Sequence, residues 1–137
     1  MGRLRKAREC ALQILFQLEF NSADPKDLIR QYWTYQKASP DIMEYGEWLV
    51  AKIRSEKPAI DQAIQGASKN WRLERMARVD RNLLRLAAFE LLFLPKIPPK
   101  VVINEAVEMA KRYGSEDSGP FINGILDQIQ KGAGARG

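Results

Sequence analysis

Residues 79–99 read VDRNLLRLAAFELLFLPKIPP. From Val79 to Leu94 the apolar side chains recur at helical spacing and density, Pro95 ends the run, and Ile97-Pro98-Pro99 forms a rigid connector. A helix this apolar must be covered by other elements. Its neighbours carry the same period. Val101 to Tyr113 is amphipathic, with Val102, Ala106, Met109 and Tyr113 stacked and Asn104, Glu105, Glu108, Lys111 and Arg112 opposite. Gly114 reads as its stop, and Ser115-Glu116-Asp117-Ser118 offers caps for a last helix whose Ile122, Ile125, Leu126 and Ile129 face inward.

Toward the N-terminus the pattern holds. A first helix is predicted from about Leu4 to Phe20, with Leu4, Ala7, Ala11, Ile14, Leu15 and Leu18 on one stripe. Asp24-Pro25 is a cap followed by a first-turn proline, opening a second helix through about Tyr35. Ser39-Pro40 repeats the signal before Ile42, Tyr45, Leu49 and Ile53, and Pro58 marks a break before Ile60, Ala63, Ile64 and Ala67. No run alternates with period two, so an all-α fold is expected. The least regular stretch, Gly66 to Arg78, is where a division is expected, between an N-terminal half of about 1–68 and a C-terminal half of about 72–131.

At 137 residues, 45% apolar and 28% charged, the chain suits one globular domain. No stretch has the roughly 20 uninterrupted apolar residues of a membrane helix. Cys10 stands alone and has no partner for an internal disulfide, which fits a reducing cytoplasm. The sequence has no histidine, the commonest general base and metal ligand near neutral pH, and neither a phosphate loop nor a nucleophile elbow occurs. No catalytic residue, metal or cofactor is expected. The formal charge is +5 and unevenly spread. Arg3, Arg5, Lys6 and Arg8 crowd the first turns, and Lys69, Arg72, Arg75, Arg78, Arg81 and Arg85 face only Glu74 and Asp80. Such clusters are either solvated faces or anion-binding surfaces.

A few residues resist a purely structural account. Leu12, Phe16 and Phe20 form a second apolar strip on the first helix, either covered by another helix or exposed as a partner surface where Phe16 packs a protein or stacks a base. Glu90 lies within the apolar arc of Leu83, Leu86, Ala87 and Leu94, where a carboxylate has to be partnered. Asp117 either caps the last helix or accepts from the exocyclic amine of a base, and Phe121, one turn on, is placed to stack.

Taken together, Arg5-Lys6-Ala7-Arg8-Glu9-Cys10-Ala11-Leu12-Gln13, residues 84–91 (LRLAAFEL), residues 97–106 (IPPKVVINEA), and Gly114-Ser115-Glu116-Asp117-Ser118 with residues 121–127 (FINGILD) resemble the NusB family of bacterial transcription antitermination factors. The likeness spans nearly the whole chain, while about Asn21 to Trp71 matches only in helical pattern. It implies about seven helices in two packed bundles, no catalysis, a cytoplasmic location and a role in ribosomal RNA transcription. The implied partners are boxA RNA, the ribosomal protein NusE and, through them, the RNA polymerase antitermination complex, with no membrane. It also implies that Arg5, Lys6 and Arg8, with Arg3 just outside the motif, contact RNA. Asp117, Ser118 and Phe121 fall in a second RNA-contacting segment, Phe16 lies near both RNA and NusE, and Asp80 lies on the NusE side. Where many relatives carry a basic residue before the aromatic at 121, this chain has Pro120, which removes a phosphate contact and a backbone donor. An alternative within the same fold is a protein-interaction module that dimerises through Leu12, Phe16 and Phe20 with no RNA bound in its free form.

Overall fold

The computed structural model describes residues 2–21 and 24–136, with side chains as far as residue 132. Among the described residues it is all-α: seven α-helices, one turn of 3-10 helix and no strand. The chain divides into two compact units, residues 1–54 and 55–137.

The first unit holds α1 (Gly2–Phe20), α2 (Pro25–Tyr35) and α3 (Pro40–Ser55, whose last residue falls past the division). The local signals that start these helices act as the sequence implies. Asp24 accepts from the Lys26 amide at 3.0 Å, and Pro25 fills the first helical position, where no amide hydrogen is needed. Before α3 the Ser39 hydroxyl instead donates to Asp41 Oδ1 at 2.6 Å, so it serves the first-turn carboxylate rather than a helix amide. Ala7, Ala11, Ile14 and Leu15 are buried, together with Leu28, Tyr32, Trp33, Leu49, Val50 and Ile53. Leu4, expected in the stripe, is exposed because it sits in the first helical turn, beyond the packed part of α1. At Gly46 a Cβ would lie 3.4 Å from the Ala7 carbonyl oxygen and 3.5 Å from the Trp33 ring, so α3 approaches α1 at glycine distance.

The second unit holds α4 (Lys57–Ala67), the 3-10 turn (Leu73–Arg75), α5 (Arg78–Phe93), α6 (Pro99–Tyr113) and α7 (Ser118–Arg136). The apolar run of residues 79–94 is its axis: α5 packs against α4, α6 and α7, and every residue from Asn82 to Glu90 is buried. Glu90 is 2% exposed and takes part in a polar interaction, as burial of a carboxylate demands.

The division falls between α3 and α4, not at residues 68–72. Two sets of interactions hold α4 to the rest of the second unit. Ile60 and Ile64 are fully buried, and Arg85 forks onto Asp61 with Nε–Oδ1 at 2.8 Å and Nη2–Oδ2 at 3.1 Å. The loop itself is pinned by one amide: Gln65 Nε2 donates to the carbonyls of Ser68 at 3.1 Å and Trp71 at 2.8 Å, and Gln65 Oε1 accepts from the Leu73 amide at 2.9 Å. A stretch irregular in sequence is thus fastened in structure.

Glu105 corrects another expectation. Its place in the sequence pattern is opposite the buried stripe of α6, yet it is 3% exposed and partnered. It lies three residues after Val102 and four before Met109, which puts it on their face of the helix. The stop at Gly114 also works differently from a left-handed cap: its φ is −101° and its ψ −165°, extended backbone open to any residue. Space decides the residue type. A Cβ there would sit 2.5 Å from Ser118 Oγ, 2.8 Å from Ser118 Cβ and 3.0 Å from the Ala110 carbonyl oxygen. Because Ser118 Cβ is attached to backbone and has no room to swing away, Gly114→Ala should lower the stability of the chain by roughly 1–3 kcal/mol through overpacking. Urea denaturation with an unchanged m-value would measure the loss, and a loss below the error of the extrapolation would show that the turn yields.

Candidate nucleic-acid interface

The first unit carries the N-terminal basic residues. Arg3 is exposed and pairs with Asp41 at the start of α3. The Ser39 hydroxyl, with Arg3 beside it, holds the Asp41 carboxyl below its ordinary value, so Asp41 is ionised at neutral pH, and its exposed pair with Arg3 is one that solvent and salt screen. Arg5 and Lys6 are half-buried. Arg8 is 2% exposed, which corrects its expected place among the surface phosphate contacts. It stands one turn before Ala11 and Leu12, both buried, so its helical phase carries the guanidinium inward with them. The cationic surface of α1 reduces to Arg3, Arg5 and Lys6.

The Leu12–Phe16–Phe20 strip divides in the same way. Leu12 is 3% exposed and belongs to the core, correcting its assignment as a partner contact; Phe16 is half-buried and Phe20 is 57% exposed. The two phenylalanine rings pack at a centroid distance of 4.8 Å and a tilt of 59°. Burial thus decreases along the strip toward the C-terminal end of α1.

In the second unit the α6–α7 turn is built around Ser118, which is 1% exposed. Its hydroxyl donates to Asp80 Oδ1 at 2.6 Å and accepts from the Ser115 amide at 3.0 Å. This corrects the assignment of Ser118. Ser118 is an internal strut rather than an exposed RNA contact, and the half-buried Asp80 uses one carboxylate oxygen to tie the start of α5 to the start of α7. Asp117 remains exposed, with its carbonyl accepting from the Phe121 amide at 3.3 Å. Pro120 is exposed in the first turn of α7, where an amide hydrogen has no intrahelical acceptor, so the helix loses nothing by it.

Phe121 is half-buried and meets Trp71 edge to face, with centroids 6.0 Å apart and planes at 88°. Trp71 is 58% exposed. Sequence reading missed this residue, and a signal was available: a lone tryptophan within Lys69-Asn70-Trp71-Arg72, where nothing in the local pattern buries it. The Gln65 amide bond to the Trp71 carbonyl is what presents the indole beside α7. The basic cluster around it is less open than its composition implies. Arg85 is buried on Asp61, Arg81 reaches the carbonyls of the 3-10 turn, and Arg72, though exposed like Lys69, Arg75 and Arg78, pairs with Glu74 at 2.9 Å.

Comparison with known proteins agrees with this architecture. The model of the NusB family matches residues 5–131. The transcription antitermination protein NusB of Sorangium cellulosum is 46% identical over 134 residues, covering 98% of this chain and 96% of its own. Among solved structures, T. maritima NusB superposes with a TM-score of 0.81 at 42% identity, covering 93% of this chain and 89% of that one. A chain from a crystal structure of antitermination factors NusB and NusE in complex with dsRNA superposes with a TM-score of 0.86 at 29% identity, covering 96% and 98%. Nearly full coverage in both directions, on the same all-helical fold, leaves one conclusion: the chain belongs to the NusB family.

Proposed function

We propose that this protein is an RNA-binding transcription antitermination factor that binds boxA-type RNA together with the ribosomal protein NusE, and so helps RNA polymerase read through terminators in ribosomal RNA transcription. The observation that carries the reading is the exposed Trp71 indole packed edge to face with Phe121, one helical turn after the exposed Asp117. Aromatic faces of this kind stack unpaired bases. The likeness to a structure in which NusB and NusE are complexed with dsRNA supports the choice of partners.

Each group has a distinct part. Arg3, Arg5 and Lys6 supply phosphate affinity that does not depend on sequence and weakens with salt. Trp71 and Phe121 supply stacking, and Asp117 accepts from an exocyclic amine, which discriminates among bases. Phe20, with Phe16 behind it, is the apolar contact for the protein partner. The chain performs no chemistry in this reading. Its one cysteine is 1% exposed and the sequence has no histidine. No helix among those residues is long and apolar enough to cross a membrane, and a cytoplasmic site of action follows from a role in transcription.

A second reading is favoured by the 57% exposure of Phe20: an exposed aromatic at the end of the Leu12–Phe16–Phe20 strip also suits a homodimer, which would cover this part of α1 until a partner displaces the second copy.

Replacing Arg5 and Lys6 together by Ala should weaken binding of a short boxA-type RNA and reduce the salt slope by roughly 0.7 per lost phosphate contact, with helicity unchanged. Fluorescence anisotropy at two salt concentrations reads both, and an unchanged slope places the phosphate contacts elsewhere. Trp71→Ala should cost about 1–3 kcal/mol of RNA affinity and leave that slope alone, the signature of stacking rather than charge. Phe20→Glu should abolish NusE binding, or self-association measured by sedimentation, while changing stability by no more than about 0.5 kcal/mol because the ring is largely exposed. A large stability loss would mark Phe20 as core instead.

A further inference from the structure

Between α1 and α2 lies an open cleft of about 340 Å³ whose lining, among the described residues, carries no charged side chain. Gln13 and Gln17 of α1 line it with Gln31 of α2 and Gln36 just past that helix, with Tyr32 and Tyr35 alongside. Tyr32 is 8% exposed and forms the floor, its hydroxyl donating to Gln13 Oε1 at 2.5 Å, which fixes the orientation of both groups. Tyr35 stands at the rim with 87% exposure, and among the described residues its ring and hydroxyl meet no partner. Nor do the side-chain amides of Gln17, Gln31 and Gln36. Packing accounts for Tyr32 and Gln13. It does not account for a bare tyrosine ring beside three amides.

This lining selects by chemistry. An isolated phosphate or carboxylate would find no cation there, and an apolar side chain would strand the amides without hydrogen bonds. A flat, neutral heterocycle with donors and acceptors on its edge satisfies both parts: carboxamides pair bidentately with such edges, as Gln does with adenine, and a tyrosine ring stacks on the face. The helix also connects the cleft to the phosphate contacts. At 3.6 residues per turn, Lys6, Gln13 and Gln17 fall within roughly 40° of one another around α1, and Lys6 stands roughly 16 Å from Gln17 along the axis. A single strand held by its phosphate at Lys6 reaches the cleft within a few nucleotides.

We propose that the α1–α2 cleft is a subsite for one unstacked nucleobase of the bound RNA, stacked on Tyr35 and read along its edge by Gln17 and Gln31. This inference rests on the RNA-binding reading and extends it to side chains other than Trp71, Phe121 and Asp117. The amides supply recognition of base identity, while the charged turn of α1 supplies affinity.

The test uses the full chain and a short single-stranded boxA-type RNA, together with a set of the same RNA in which each position in turn is made abasic, removing a base and keeping its phosphate. Binding is measured by anisotropy for the parent protein, for Tyr35→Ala, for the double variant Gln17→Ala/Gln31→Ala, and for Lys6→Ala as a reference. None of these side chains is buried, so the folded state should survive, and circular dichroism checks it. Expected are roughly tenfold weaker binding of intact RNA by Tyr35→Ala and by the double variant, an unchanged salt slope in both, and one abasic position that weakens the parent to the same degree yet costs these variants nothing further. Lys6→Ala should instead lower the slope and lose affinity at every abasic position alike. If Tyr35→Ala and the double variant bind like the parent while Lys6→Ala weakens, the cleft is not a base site and the RNA-binding reading stands. If the parent binds none of these RNAs, both fail.

Discussion

One hydroxyl organises the second unit. Ser118, nearly inaccessible, donates to Asp80 at the start of α5 and accepts from the Ser115 amide in the α6–α7 turn. Three segments thus converge on a single oxygen. The convergence requires Gly114, because a Cβ at that position would overlap Ser118 within 3 Å. The direction in which α7 leaves the turn depends on this knot, and with it the exposure of Asp117 and the placing of Phe121 against Trp71. The groups proposed to meet RNA are held by a neighbour that does not meet it. A hydrogen bond to a charged acceptor, shielded from water, is stiff enough for that task.

Buried charge is the second theme. Arg8, Glu9, Arg85, Glu90 and Glu105 are all under a tenth exposed. The arginines carry aliphatic stems that pack as apolar residues do, and arginine and glutamate alike require a partner for the buried head. Arg85 shows the pattern, with its guanidinium forked on Asp61 and thereby clamping α4 to α5. Buried heads such as those of Arg8 and Arg85 are not open to direct contact with a phosphate. A count of basic side chains therefore overstates the RNA-facing charge of this protein, and the exposed set is smaller and more localised than the sequence clusters imply. Affinity drawn from few phosphates leaves more of the discrimination to stacking and edge contacts, the kind Trp71, Asp117 and the α1–α2 amides are equipped to make.

Helix positions were legible in the sequence because their causes are local. Asp24-Pro25, Pro95, Pro98-Pro99 and Gly114 act on backbone within a turn of themselves, and the observed helices begin and end within about two residues of those signals. The inward stripe of α7 was equally readable, since period alone places Ile122, Ile125, Leu126 and Ile129 on one face. The motifs were enough to indicate the family. Only the tertiary structure decided which charged residues are buried, where the chain divides, and that Trp71 stands exposed against Phe121. Burial of Arg8 or Glu105 depends on what packs over the helix, and the fastening of residues 68–72 depends on a glutamine amide reaching across the loop. Such partners are chosen by packing in space rather than by order along the chain, and a pattern read along the chain carries no record of them.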